Sequence, residues 1–276
     1  MKVRILSGVG IAVVMIALFL LNPVIPYLMY FFVDLLIAVA IYEVLNTAKL
    51  AKKYQLLIPC ELIGLSVPWL TMTDYLAVGM LAFALVMFAV MLFSYDDIKF
   101  SEIAYCVTST LMIGFGLGSV AGLSTLRGKD FANLLVFTVM FIPWGADIGG
   151  YFMGVFFGKH KLCPKVSPKK TVEGFIGSLV FGTAFPVLYA YIYLNLSFIG
   201  VEYAIDYIAL CGISLFCVLV SVLGDLTFSI IKRNYGIKDY GNLIPGHGGI
   251  LDRFDSVIFV APTMLVLFNI YPYFLI

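Results

Sequence analysis

Apolar runs of bilayer-crossing length, separated by short polar segments, fill nearly the whole of this 276-residue chain and leave few folds open to it. With 62% hydrophobic and 12% charged residues, it lies far from the composition of soluble domains. About 20 predominantly apolar residues are enough to cross a membrane as a helix. Nine such spans are predicted, near 5–21, 27–45, 58–71, 75–94, 103–123, 131–157, 174–197, 205–231 and 254–274, the third being short. The N-terminus has the basic start of a signal peptide but runs into Asn22-Pro23 without a small-residue cleavage site, so a retained first helix is expected. The expected fold is an all-α polytopic bundle, a single membrane domain over 1–276, with the less informative helices in 1–130 and the chemistry in 131–276.

Lys and Arg are retained on the cytoplasmic side of short loops. Nine spans place 15 of the 17 basic residues on one side and only Arg127 and Lys129 on the other. The count predicts a cytoplasmic N-terminus and an outer C-terminus. It also puts two polar segments, 158–173 and 232–253, on the cytoplasmic face. Five isolated cysteines suggest neither a disulfide framework nor a metal site. No internal repeat is visible.

Acidic residues within spans are costly and point to function. Asp225 has Ser221 and Ser229 four residues to either side, which places all three on one helical face. A polar helix–helix contact is the alternative. Asp252 and Asp255, three apart, are expected to share a face in the first turn of the ninth span, where the helix dipole also favours carboxylates. Folding back of 232–253 would let the three acids meet as an all-oxygen cluster suited to Mg²⁺. Lys238 and Arg253 among them supply the cations that phosphoryl-type transfer needs. In the other segment, Lys169, Lys170 and Thr171 are suited to a nucleoside triphosphate, or alternatively to anionic lipid head groups. Pro245–Gly249, with His247, Gly248 and Gly249, reads equally as an anion-binding concavity and as a tight re-entrant turn. Asp147, among Gly145, Gly149, Gly150 and Gly154, suggests a helix that is very closely packed or broken near a polar cavity. Gly114, Gly116 and Gly118 indicate close helix packing. No zinc-hydrolase, serine-hydrolase or P-loop pattern is present.

The run Ser229-x-Ile231-Lys232-Arg233-x4-Lys238-Asp239-x-Gly241-x2-Ile244-Pro245-x-His247-Gly248-Gly249-Ile250-x-Asp252-Arg253-Phe254-Asp255 resembles the signature of the phosphatidate cytidylyltransferases, or CDP-diacylglycerol synthases. Asp147-x-Gly149-x-Tyr151 and the segment Gly158–Gly174 are similar to the family as well, with Ile148 where Thr or Ser is more usual. The resemblance implies transfer of a cytidylyl group from CTP to phosphatidate in a bacterial inner membrane, giving CDP-diacylglycerol and pyrophosphate. It implies that Asp225, Asp252 and Asp255 bind divalent metal, two Mg²⁺ ions, with Lys238 also catalytic. Ser167, Lys169, Lys170, Thr171, Lys232, Arg233 and Arg253 would contact phosphates, and His247, Gly248 and Gly249 would shape the anion pocket. Asp147, Ser229 and Asp239 would lie in or near it. The expected partners are CTP, phosphatidate and the lipid bilayer, with a homodimer allowed and no nucleic acid. A transporter or flippase of an anionic lipid is the rival from another class. A CTP-dependent transferase for a different lipid acceptor is the nearer one.

Overall fold

The computed structural model describes residues 2–25, 27–126, 129–196, 205–246 and 248–271. The chain runs α1 (Lys2–Leu21), α2 (Leu28–Thr47), α3 (Tyr54–Leu70), α4 (Leu76–Phe93), α5 (Phe100–Thr125), α6 (Lys129–Phe157), β1 (Lys161–Cys163), β2 (Ser167–Thr171), α7 (Val172–Leu196), α8 (Tyr207–Asn234), α9 (Leu251–Phe254) and α10 (Val257–Ile270). Among the described residues, six helices are long and apolar enough to cross a membrane. Three shorter apolar helices, Leu6–Leu21, Tyr54–Leu70 and Val257–Ile270, run alongside them in sequence. This is an α-helical membrane protein, with one two-stranded hairpin among the described residues.

By contacts the chain divides into two compact units. The first comprises Met1–Gly122 with Asn234–Phe254. Its core is built on α2 and α3, where Gly64 brings the helices together so closely that a Cβ there would collide with Ile41 and press on Ile37. The expected packing role of the glycines on α5 holds for two of them: a Cβ on Gly114 would touch the Cα of Gly64 at 3.6 Å, and one on Gly118 would touch Pro68 at 3.4 Å. Small residues admit such close approach where lipid offers no hydrophobic drive for association. The indole of Trp69 donates to Asp34 Oδ2 at 2.8 Å, and Lys53 pairs with Glu102 at 2.9 Å. Tyr105, on α5, donates its hydroxyl to the carbonyl of Val44 at 3.1 Å and so pins the end of α2.

The second unit comprises Leu123–Arg233 with Asp255–Ile276. Its centre is the antiparallel pair α6 and α7, which is continuous and closely packed, so α6 is not broken at its glycines. Cβ atoms at Gly145, Gly149, Gly150, Gly174 and Gly177 would each fall within 3 Å of an atom of the opposing helix. Helix α8 packs on this pair through Val218 against Gly182, and Phe228 meets Phe259 of α10 edge to face at 6.2 Å.

Two local expectations are corrected. Lys232 and Arg233 occupy the last turn of α8 rather than a loop, a position favoured for cations by the helix dipole. Asp252 and Asp255 do not share the first turn of one helix. The chain forms the single turn α9, breaks at Asp255–Ser256, and restarts as α10. At the break Asp255 Oδ1 accepts the Ser256 N–H at 2.7 Å, a local side-chain bond that competes with helical pairing. Arg127 lies outside the described residues.

Candidate active site

In the second unit a cavity of about 700 Å³, mouth included, is walled by α6, the hairpin, α7 and α8. Asp147 and Gly150 come from α6, Lys169, Lys170 and Thr171 from β2, Gly174 and Ser178 from α7, Ser221 and Asp225 from α8. The sequence explains how each arrives there. Thr171 ends β2 and caps α7, its Oγ1 accepting the Gly174 N–H at 3.0 Å. Glu173 reaches back from the first turn of α7, accepting the N–H groups of Lys159 and His160 at 3.1 and 3.2 Å and meeting His160 Nδ1 at 2.7 Å. The hairpin is thereby tied to the helix that follows it.

Successive side chains of a strand point to opposite faces, yet Lys169 and Lys170 both line the cavity. The register accounts for this. Lys161 faces Thr171 and Cys163 faces Ser167, so β2 carries extra residues and bulges between these pairs. A bulge re-aims side chains and is favoured next to functional sites. Lys170 forms an ion pair with Asp225 Oδ2, joining the hairpin to α8. Ser178 Oγ donates to the Ala146 carbonyl at 2.8 Å, fixing α6 to α7 beside Asp147.

Asp255 is buried and lies within electrostatic range of Asp225, Lys232 and Asp147. The sequence places Asp147 only near a possible pocket. The structure makes it a wall residue that lines the cavity with Asp225 and acts electrostatically on Asp255. Of the expected serines, Ser221 faces the cavity and Ser229, one turn past Asp225, is half-buried further along α8. Ser167 begins β2. Lys232 is buried and Arg233 exposed.

Among the described residues no three His, Cys, Asp or Glu side chains stand grouped as a preformed ligand set; Asp225 is engaged by Lys170 instead. The chemistry of the donors nevertheless suits Mg²⁺. Asp225 and Asp147 both act electrostatically on Asp255, and all three offer only hard oxygen atoms, the donor type that Mg²⁺ takes.

The signature loop belongs to the first unit. Lys238, Asp239 and Arg253 are exposed, whereas Asp252 is buried. Asp252 Oδ2 accepts the N–H groups of Tyr240 at 2.8 Å and Gly249 at 3.0 Å. Ile244 and Gly248 exchange backbone hydrogen bonds of 3.0 and 3.2 Å across Pro245–His247. Of the two readings of this stretch, the backbone is that of a tight turn, with positive φ at Gly246 and Gly248. The amides of Gly248 and Gly249 already have acceptors inside the loop. His247 lies outside the described residues.

The sequence reading overlooks Glu43. It sits near the end of α2, is 5% exposed, and accepts the N–H of Ile250 at 3.1 Å and of Leu251 at 2.8 Å. A single acid in the last turns of an apolar helix, IYEVLNT, is the signal that identifies it.

A cavity that sets lysines beside carboxylates offers cations that can pair with a polyanion and carboxylates that can bind a cation. The model of the cytidylyltransferase family matches residues 2–271. A phosphatidate cytidylyltransferase of Bacillus subtilis (strain 168) is 33% identical over 282 residues, covering 98% of both chains. One from Staphylococcus aureus (strain COL) is 31% identical over 274 residues, 97% of this chain and 98% of the relative. One from Staphylococcus haemolyticus (strain JCSC1435) is 30% identical over the same length. The chain belongs to the cytidylyltransferase family.

Proposed function

We infer that the protein is a phosphatidate cytidylyltransferase, converting CTP and phosphatidate to CDP-diacylglycerol and pyrophosphate in phospholipid biosynthesis. The observation that carries this reading is the cavity with Lys169 and Lys170 opposite Asp147 and Asp225, in a chain matched end to end by relatives of that name. A phosphate oxygen of phosphatidate attacks the α-phosphorus of CTP. The bond from that phosphorus to the bridging oxygen breaks, and pyrophosphate leaves with the electron pair. The nucleophile is already ionised near neutral pH, so the reaction asks for alignment and charge neutralisation rather than a strong base.

Lys169 and Lys170 receive the triphosphate, and Thr171 and Ser167 add hydroxyl contacts. Lys170 exchanges its partner Asp225 for phosphate as the nucleotide enters. Lys232 balances Asp255, and Arg233 meets phosphate at the end of α8. Asp225 and Asp255, with Asp147 in the same cavity wall as Asp225, would hold Mg²⁺, which would supply neutralisation of phosphate charge. A second Mg²⁺ and the signature residues Asp252, Lys238, Arg253 and His247 are assigned to the same reaction by their fit to the family pattern. Gly248 and Gly249 shape the turn and Asp239 flanks it. An apolar groove lined by Leu179, Val180, Thr183, Val187, Cys211 and Leu215 of α7 and α8 suits an acyl chain.

The charge count supports nine spans and a cytoplasmic site reached by CTP from water. One membrane domain, in a bacterial inner membrane, is what the family resemblance implies. A homodimer is compatible with this arrangement. Purified protein incubated with phosphatidate, labelled CTP and Mg²⁺ is expected to yield labelled liponucleotide and pyrophosphate in equal amounts. Absence of both across several lipids and divalent ions would overturn the reading. Turnover in detergent, without compartments, separates the enzyme from a transporter.

A further inference from the structure

We propose that Glu43 is a positioning residue for the reaction, a clasp that sets the signature loop from a helix near the start of the chain. A buried carboxylate in an apolar helix carries a desolvation cost that its partners must offset. Here those partners include two consecutive backbone amides, Ile250 and Leu251, which directly precede Asp252 and Arg253. The loop backbone closes around the acid. A Cβ on Gly249 would lie 2.5 Å from both carboxylate oxygens of Glu43, and a Cβ on Gly241 would collide with Oε1. These two glycines of the signature are therefore small because Glu43 occupies the space beside them.

Asp252 completes the clasp. Its Oδ2 binds the amides of Tyr240 and Gly249, so the two acids grip both ends of the loop. Four backbone donors, at 240, 249, 250 and 251, are thus ordered by two side chains. Glu43 is itself held in place, because Tyr105 binds the carbonyl of the next residue, Val44. Loss of one oxygen acceptor at Glu43 would leave a buried N–H facing an amide donor. Residues 250–251 would then shift, and with them Asp252 and Arg253, while the helices stay packed.

The inference rests on the proposed activity, and its test keeps the two separable. Glu43→Gln is isosteric. It is expected to lower kcat by about tenfold or more, the scale of loss that misplacing a positioned group brings. The thermal midpoint in detergent should fall by only a few degrees, and KM for phosphatidate should stay close to wild type. Hydrogen–deuterium exchange should quicken in a peptide spanning 248–253 and nowhere in α6 or α7. Gly249→Ala should be impaired alone, and combining it with Glu43→Asp, which withdraws the carboxylate, should cost less than the product of the two single losses. Wild-type kcat in Glu43→Gln, loss of rate that only tracks loss of folded protein, or strictly multiplicative losses would each overturn the clasp. A wild-type protein inactive on CTP would instead overturn the proposed activity, and the exchange experiment would still decide whether Glu43 holds the loop.

Discussion

The hairpin at 161–171 and the signature loop at 239–252 are both polar, glycine-flanked segments between apolar helices, yet they spend their polar groups differently. In the hairpin the backbone is tied down at its ends by Thr171 and Glu173, and a bulge turns two lysines into a cavity. In the loop, the amides of Tyr240, Gly248, Gly249, Ile250 and Leu251 are all bound within the protein. One region presents side chains to a cavity, and the other has its backbone held by carboxylates. A polar stretch in a membrane protein can therefore be a site in two senses, as a surface that binds or as a frame that positions.

The difference is broken most severely by removing a charge from the presenting region. Asp225→Asn keeps size and most hydrogen bonding but loses the charge that pairs with Lys170 and would hold the metal. Its turnover is expected to fall by roughly a thousandfold, at the upper end of what one electrostatic group supplies, with normal insertion and an unchanged thermal midpoint. Near-wild-type turnover would remove Asp225 from the chemistry. Lys170→Ala comes next. It should lower kcat/KM for CTP by about a hundredfold, since it takes away a phosphate contact and leaves Asp225 without its partner. If raising CTP failed to recover any rate while KM for phosphatidate rose instead, the hairpin would be a lipid-facing element.

Much of this site is legible in the sequence, because its determinants are local. Ser221 and Asp225 share a helical face by spacing alone, and both reach the cavity. The glycines of α6 announce close packing, and they deliver it against Gly174 and Gly177. What stays hidden depends on registration between distant segments. Nothing near Lys169 and Lys170 shows that a bulge will aim both the same way. The helix break at Asp255–Ser256 is invisible too, because the apolar pattern of the last span runs straight through it. Glu43 is separated from its partners by 207 and 208 residues, and one acid in an apolar run does not say which backbone it will bind. Composition places the helices, but pairing across the chain decides what each polar residue does.

The smallest expected effect tests the framing region, where charge is left intact and only backbone freedom changes. Gly248 has φ +91°, a conformation closed to residues with a Cβ except at a cost. A methyl group there would also stand 3.1 Å from Asp252 Oδ2, so that carboxylate must give by a few tenths of an ångström. Gly248→Ala should thus destabilise the loop by about 1–2 kcal/mol. Because only the loop pays this, the effect should show as faster amide exchange between 240 and 252 and as a rate loss of about tenfold or less, smaller than either loss from the presenting region. Equal exchange in mutant and wild type would mean that the turn is not held in this backbone conformation. The loop would then be a binding surface like the hairpin, and the contrast between the two regions would disappear.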